Sequence, residues 1–325
     1  DNVALVSGSN TLQLKVTDSA GNDGSVLSQA YVLDQAAPDA PGTPPTTNNT
    51  TSDTTPTFTG SNETGATVTL FNDANSNGTV EASEILGTAI VTGDTWSFTS
   101  SELAAGSYTI KSIQTDVAGN ISAASSGLSV IIDTTPPAIT FSALAFSDDT
   151  GVASDFITKT ATQTISATLS AGLGAGDKVW GNLGAGWIDI TGKVSGTTLT
   201  WNDVTLTGSG TIQLKVTDSA GNDGTLASKA YVLDQAAPNA PGTPATASAV
   251  TNVTTPAFTG SGETGATVTL FNDTNSNNTV DAGETLGTAT VDGNAWSITA
   301  SKLAAGNYTI KSIQTDVAGN ISAAS

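Results

Sequence analysis

The chain has no cysteine, no histidine, no methionine and no arginine. Without cysteine there is no disulfide framework and no thiol nucleophile; without histidine the usual general base and the imidazole preferred by zinc, copper or iron are gone. Positive charge is scarce, with nine lysines against 29 acids and a formal net charge of −20. Nucleic acids and anionic membranes both require basic patches, so neither is an expected partner. No apolar run reaches the roughly 18 residues of a bilayer span, so no membrane insertion of this segment is expected, and the first residues do not form a signal-peptide pattern. Long helical patterns are missing too.

What remains is an inventory of oxygen ligands, Asp, Glu, Asn, Ser and Thr, which suits hard cations, Ca2+ above all. The other positive feature is repetition. Residues 1–125 recur as 201–325 without a gap, and the stretch from Leu14 to Asn22 returns unchanged as Leu214 to Asn222. Such self-similarity marks an array. A weaker period of about 100 residues lies within it: Thr115-Asp116-Val117-Ala118-Gly119-Asn120 matches Thr17 to Asn22, Thr217 to Asn222 and Thr315 to Asn320. Apolar stretches closing on Asp34, Asp133 and Asp234 are each followed by a proline-bearing segment. These are read as module junctions. They divide the chain into a C-terminal piece (1–34), two complete modules of alternating type (35–133 and 134–234) and a fourth lacking its last strand (235–325).

Within residues 35–133, period-2 alternation rich in β-branched residues marks strands over 57–59, 66–71, 86–91, 95–99, 108–114 and 128–132. That many short strands, separated by Gly, Asn and Asp turns, predict an all-β antiparallel sandwich. Val68, Leu70, Trp96, Phe98, Tyr108, Ile110 and Ile113 are expected in its core. Trp96 and Trp296 could stack on sugars, but tryptophans within alternating strands are more commonly core. Trp180 and Trp187, among glycines, are assigned to a hairpin peculiar to the second module type.

The sharpest local motif runs from Asp73 to Glu84. It places oxygen ligands at positions 1, 3 and 5 (Asp73, Asn75, Asn77), Gly78 at 6, the Thr79 carbonyl at 7, Glu81 at 9 and Glu84 at 12. This is the twelve-residue calcium-loop pattern, here between strands instead of helices. The second copy offers Asp273, Asn275, Asn277, Thr279, Asp281 and Glu284, with Asn278 replacing the glycine. Asparagine tolerates the left-handed backbone better than other non-glycine residues, so a weakened site is expected there. An ion-free Asn/Gly-rich hairpin is the competing interpretation.

A second expectation concerns calcium at the junctions. The Asp-x-Ala-Gly-Asn turn and the aspartate ending the last strand are placed at one pole, facing the next module. For the junction after residue 133 the nominated ligands are Asp116, Asn120 and Asp133, with Asp148, Asp149 and Asp155 on the far side. Equivalent sets are Asp18, Asn22 and Asp34, and Asp218, Asn222 and Asp234. Solvated turns whose Asp and Asn cap backbone groups would look the same.

The sequence Asp133-Thr134-Thr135-Pro136-Pro137, the repeated Asp-x-Ala-Gly-Asn turns, and Phe58-Thr59-Gly60 with Glu63 to Leu70 together resemble the bacterial immunoglobulin-like repeats of giant, type I secreted RTX-class adhesins. The resemblance covers the whole chain. It implies a tandem array of immunoglobulin-like sandwiches at the bacterial cell surface, acting as calcium-stiffened extenders between an anchor and a distal binding tip whose target is unknown. Neighbouring modules of the same chain are then the expected partners. No glycine-aspartate nonapeptide repeat, anchor or tip is recognisable in this segment. The alternatives are a carbohydrate- or ice-binding module, and a subunit that self-associates into an S-layer or extracellular fibre. An enzyme is the least supported class, since no cleft-forming insertion accompanies carboxylate pairs such as Asp148 and Asp149.

Overall fold

The alternating segments form strands in a computed structural model that describes residues 3–325. The chain falls into two compact units, residues up to Pro136 together with Ser219–Asn222, and Pro137–Asp218 together with Asp223–Ser325.

In the first unit, β1 (Gly8–Leu14) and β2 (Leu27–Leu33) make an antiparallel hairpin. Residues 35–133 contribute β3 (Thr50–Thr51), β4 (Thr57–Ser61), β5 (Thr67–Asn72), β6 (Ile85–Ile90), β7 (Thr95–Thr99), β8 (Gly106–Thr115) and β9 (Leu128–Ile132). These build a five-stranded sheet in the order β3-β9-β8-β5-β6, with β4 and β7 paired separately. All pairs are antiparallel except β3 with β9. Phe58, Val68, Leu70, Trp96, Ile110, Val130 and Ile132 are buried together between the two layers, with Phe98 and Tyr108 packed partly against them. Each large apolar side chain so buried contributes about 1.5–3 kcal/mol. Trp96 is core, and its Nε1 donates to Asn62 Oδ1 at 2.6 Å. Ile113 is only half-buried, because the inward register of β8 passes through Ile110, Ser112 and Gln114.

The second unit holds two sandwiches. One comprises β10 (Phe141–Phe146), β11 (Ile157–Thr158), β12 (Thr162–Leu169), β13 (Lys178–Asn182), β14 (Ile188–Asp189), β15 (Val194–Ser195), β16 (Thr198–Thr205), β17 (Gly210–Thr217) and β18 (Ala227–Leu233). Its sheets are β10-β12-β16-β15 and β11-β18-β17-β13-β14. The other comprises β19 (Ala245–Thr246), β20 (Ala257–Ser261), β21 (Thr267–Asn272), β22 (Thr285–Thr290), β23 (Ala295–Thr299) and β24 (Ile310–Thr315), in sheets β19-β20-β23 and β22-β21-β24.

One sequence expectation changes here. The β13–β14 hairpin carrying Trp180 is no special addition: sheet order makes it the counterpart of β5–β6, with a short glycine-rich loop where the other module type has its twelve-residue loop. Trp187 lies in that loop, half-exposed, with Lys215 Nζ 4.7 Å from its ring. The hairpin β1–β2 also shows how much burial depends on a covering layer. Leu12, Leu14 and Val16 are exposed, whereas their counterparts Ile212, Leu214 and Val216 are fully buried beneath the β10-β12-β16-β15 sheet.

Candidate functional site

The Asp-x-Ala-Gly-Asn segments form one closed turn, repeated. In the turn after β8, Asp116 Oδ1 accepts from the Asn120 backbone N at 2.9 Å, and Asp116 Oδ2 accepts from Asn120 Nδ2 at 2.8 Å. Gly119 adopts φ 95°, which lets the chain reverse inside that ring. Asp316 and Asn320 repeat the geometry at 2.8 and 2.9 Å, and Asp18 and Asn22 at 2.9 and 3.0 Å. The side-chain amide of Asn120 or Asn22 holds the Asp116 or Asp18 carboxyl below the usual range, and backbone N–H groups assist.

At Asn120 and Asn320 this ring fixes the side chain in one orientation, with a second amide hydrogen pointing outward. Asn120 Nδ2 donates it to the main-chain O of Asp34 at 3.3 Å, Asn222 Nδ2 to Asp133 O at 2.7 Å, and Asn320 Nδ2 to Asp234 O at 2.9 Å. The turn of each module is thus latched to the end of the last strand before that module. The aspartates accepting these bonds use their own carboxylates to start the linker, taking hydrogen bonds from Ala36 N, Thr135 N and Ala236 N at 2.9–3.0 Å.

This geometry corrects the expected junction sets. Asp116 and Asn120 sit at the opposite pole from Asp133, because β8 and β9 are antiparallel and Gly106, at the start of β8, pairs with Ile132. The structure brings Asn120 to Asp34 and Asn222 to Asp133. Asp218 and Asn222 are likewise not gathered with Asp234. Asp148, Asp149 and Asp155, in the loop between β10 and β11, face the following module and not the preceding one. There Thr150 Oγ1 donates to Ala318 O, and Lys159 Nζ to Gly319 O, both at 2.5 Å. Gly151 lies so close to this turn that a Cβ would be 2.1 Å from Val317 O. Ala318 is completely buried as a result, while Ala118 in the equivalent turn is exposed. Within the acidic loop, Asp148 Oδ2 accepts from Thr160 Oγ1, Asp155 Oδ1 from Ile157 N and Asp149 Oδ2 from Phe156 N, leaving Asp149 Oδ1 buried without a partner.

Sequence reasoning missed Gln114 and Gln314. Both are buried, and their Nε2 atoms donate to Asp39 O and Asn239 O at 2.7 and 2.6 Å, which pins the proline-bearing linker to the module it introduces. Their inward position in an alternating strand was the available signal.

The twelve-residue loop joins β5 to β6. Asp73, at its start, has a buried carboxylate that accepts from Gly78 N at 3.2–3.3 Å. Asn75 Oδ1 accepts from Asn77 N, and Asn77 Oδ1 from Thr79 N, so successive turns bend the chain round Asp73. The amides of Asn75 and Asn77 both reach Glu81 Oε1, at 3.3 and 3.0 Å. Glu84 closes the loop: Oε1 accepts from Ala74 N, and Oε2 is buried with no partner. In the second copy Asn278 adopts φ 61° where Gly78 has 70°, and Asp273 accepts from its N–H. Asn275 and Asn277 reach Asp281, Asn277 Oδ1 accepts from Thr279 N, and both oxygens of Glu284 find donors.

Among the described residues, no three or more Asp and Glu side chains are grouped to hold a metal by themselves. Any ion in these loops would rely on asparagine and main-chain oxygens as well. The buried, unpartnered Glu84 Oε2, in the same loop as the buried Asp73, fits such a donor set.

No curated protein matches the chain. Solved structures similar to it include the chicken CNTN1 FN1-FN3 domains, 15% identical, covering 89% of this chain and 97% of that one at a TM-score of 0.33. The fibronectin(III)-like modules of Clostridium thermocellum CbhA are 13% identical over 61% of this chain and 90% of theirs, at 0.35. The BSP domain of a biofilm associated protein is 12% identical over 97% and 73%, at 0.21. A family profile described as Bacterial Ig-like domain matches residues 30–134 and 236–325. These matches fall on the two modules with the twelve-residue loop and cover more than half of the residues, so the chain belongs to the bacterial Ig-like domain family.

Proposed function

We propose that this chain is a spacer segment of a large bacterial surface protein of the adhesin kind, its modules setting the distance between an anchor and a distal binding domain. The observation that carries this reading is the recurrence of one contact, asparagine amide to preceding aspartate carbonyl, at Asn120, Asn222 and Asn320. A contact repeated with the modules is suited to a function that depends on their number and order. The charge of −20 supports it, since self-repulsion favours extension.

We also propose Ca2+ as the ligand of the two loops, held by Asp73, Asn75, Asn77, the Thr79 carbonyl, Glu81 and Glu84, and by Asp273, Asn275, Asn277, the Thr279 carbonyl, Asp281 and Glu284. Bound calcium would neutralise the buried carboxylates and fix the β5–β6 and β21–β22 connections. With two asparagines in each set, affinity falls in the weak range of extracellular modules, about 10⁻⁴–10⁻³ M.

Small-angle scattering on this chain and on a version carrying one more 200-residue repeat tests the spacer role. The expected result is a maximum dimension that grows by a constant increment per repeat. An unchanged dimension would refute it. Glu84→Gln is expected to weaken calcium binding at the first loop, read by titration calorimetry.

A further inference from the structure

Asp73 and Asp273 are the least exposed carboxylates among the described residues, each 1% exposed. A carboxylate taken out of water needs a compensating cation, and in both loops a lysine supplies it. Lys111 Nζ lies 2.6 Å from Asp73 Oδ2, and Lys311 Nζ lies 2.7 Å from Asp273 Oδ2. These lysines do not belong to the loops. They stand on β8 and β24, paired in register with Phe71 and Phe271, and reach the loops from the neighbouring strand. In the second copy the ammonium also donates to Asn278 Oδ1, the side chain that replaces Gly78. Two of only nine lysines in the chain are committed in this way.

The ammonium satisfies one carboxylate but not the other. Glu84 is nine-tenths buried and its Oε2 has no donor, so the first loop keeps an acceptor that the lysine does not reach. A divalent ion would answer both carboxylates. It would also share Asp73 with an ammonium only a few ångströms away, and like charges at that range repel strongly in a partly desolvated site.

We infer that Lys111 and Lys311 are resident counter-cations: they hold the two loops folded when calcium is absent, and calcium enters by displacing the ammonium from Asp73 or Asp273. This inference rests on the reading of the loops as calcium sites. It makes binding an exchange of one cation for another, so the lysine both preserves the loop and weakens its affinity.

The experiment titrates calcium chloride into the full chain by calorimetry, comparing the wild type with the Lys111→Gln, Lys311→Gln double variant. Acetylation of individual lysines is followed in parallel by mass spectrometry, in chelator and in calcium. The double variant is expected to bind calcium at least about tenfold more tightly, given that even a modest charge repulsion exceeds that factor at such distances. Lys111 and Lys311 of the wild type are expected to react faster in calcium than in chelator. Calcium binding of equal affinity in both proteins, with unchanged acetylation, overturns the exchange while leaving the loops as calcium sites. No binding by either protein overturns the calcium reading itself. If the double variant does not fold in chelator, the wild-type acetylation rates decide alone.

Discussion

Gly151→Ala tests whether the loop between β10 and β11 is a docking element for the following module. A Cβ there would sit 2.1 Å from Val317 O, 2.9 Å from Val317 C and 3.0 Å from Gly319 N. All three are backbone atoms of a turn closed by Asp316 and Asn320, so none can swing aside as a side-chain end would. Gly151 also has φ 77°, where an L residue costs about 1–2 kcal/mol. The loop must withdraw, and the bonds from Thr150 to Ala318 O and from Lys159 to Gly319 O go with it. Each is worth about 0.5–1.5 kcal/mol, with the exposed lysine at the low end. The total loss of about 2–4 kcal/mol falls on the docking and the loop. It spares the cores around Leu214 and Leu270. Spin labels placed on β12 and β21 read the result as a distance distribution. The variant should broaden it while the urea-unfolding slope stays that of the wild type. Gly172→Ala is the control, since nothing lies within 4 Å of its added Cβ. An unchanged distribution in Gly151→Ala would refute the docking argument.

Asn320→Ala should remove the latch to Asp234 O at about 0.5–1.5 kcal/mol, and faster proteolysis in the 235–244 linker would report it. Asn120→Ala should act in the same direction more weakly, because its latch is longer at 3.3 Å. Trp96→Ala should destabilise its module by about 3–5 kcal/mol in chemical denaturation, whereas a sugar-stacking role would leave stability untouched. Acid should loosen the turns in a defined sense. The Asp116 and Asp18 carboxyls lie below the ordinary aspartate value of about 3.9, chiefly through Asn120 and Asn22. Their contribution is therefore full above that value and lost as pH falls through the lowered native values, so stability measured against pH should fall only below about pH 4.

The strands and cores were legible because period-2 alternation is a local signal. Segments such as Thr95 to Thr99 and Leu128 to Ile132 coincide with β7 and β9. Ile113 was misplaced because β8 is polar on its inward face beyond Ile110, where Ser112 and Gln114 are buried, their backbone N–H groups donate to Ser125 Oγ and Ser122 Oγ, and Gln114 Nε2 donates to Asp39 O. A hydrophobicity pattern cannot register an inward face made of polar side chains. The twelve-residue loop was legible as a ligand pattern, but its lysines were not, since Lys111 lies 27 residues beyond Glu84 and reaches the loop only through the pairing of β5 with β8.

The misassigned poles have a different cause, and strand direction alone would have avoided it. A turn between two antiparallel strands lies at the end where the first finishes, so the linker leaving the second strand must lie one strand length away. For β8 and β9 this puts Asp116 to Asn120 at the module's entrance and Asp133 at its exit. The same rule carries the loop after β10 to the exit, where Thr150 and Gly151 meet the next turn. Entrance turn and exit loop are therefore complementary halves of one joint, contributed by successive modules. In this joint each half is fixed within its own module, the turn by the Asp316–Asn320 ring and the loop by Asp148 accepting from Thr160. An ion shared by the carboxylates of both halves would have required them to point outward. In this structure Asp116 and Asp316 turn inward onto their own asparagines, and the amide they orient makes the contact.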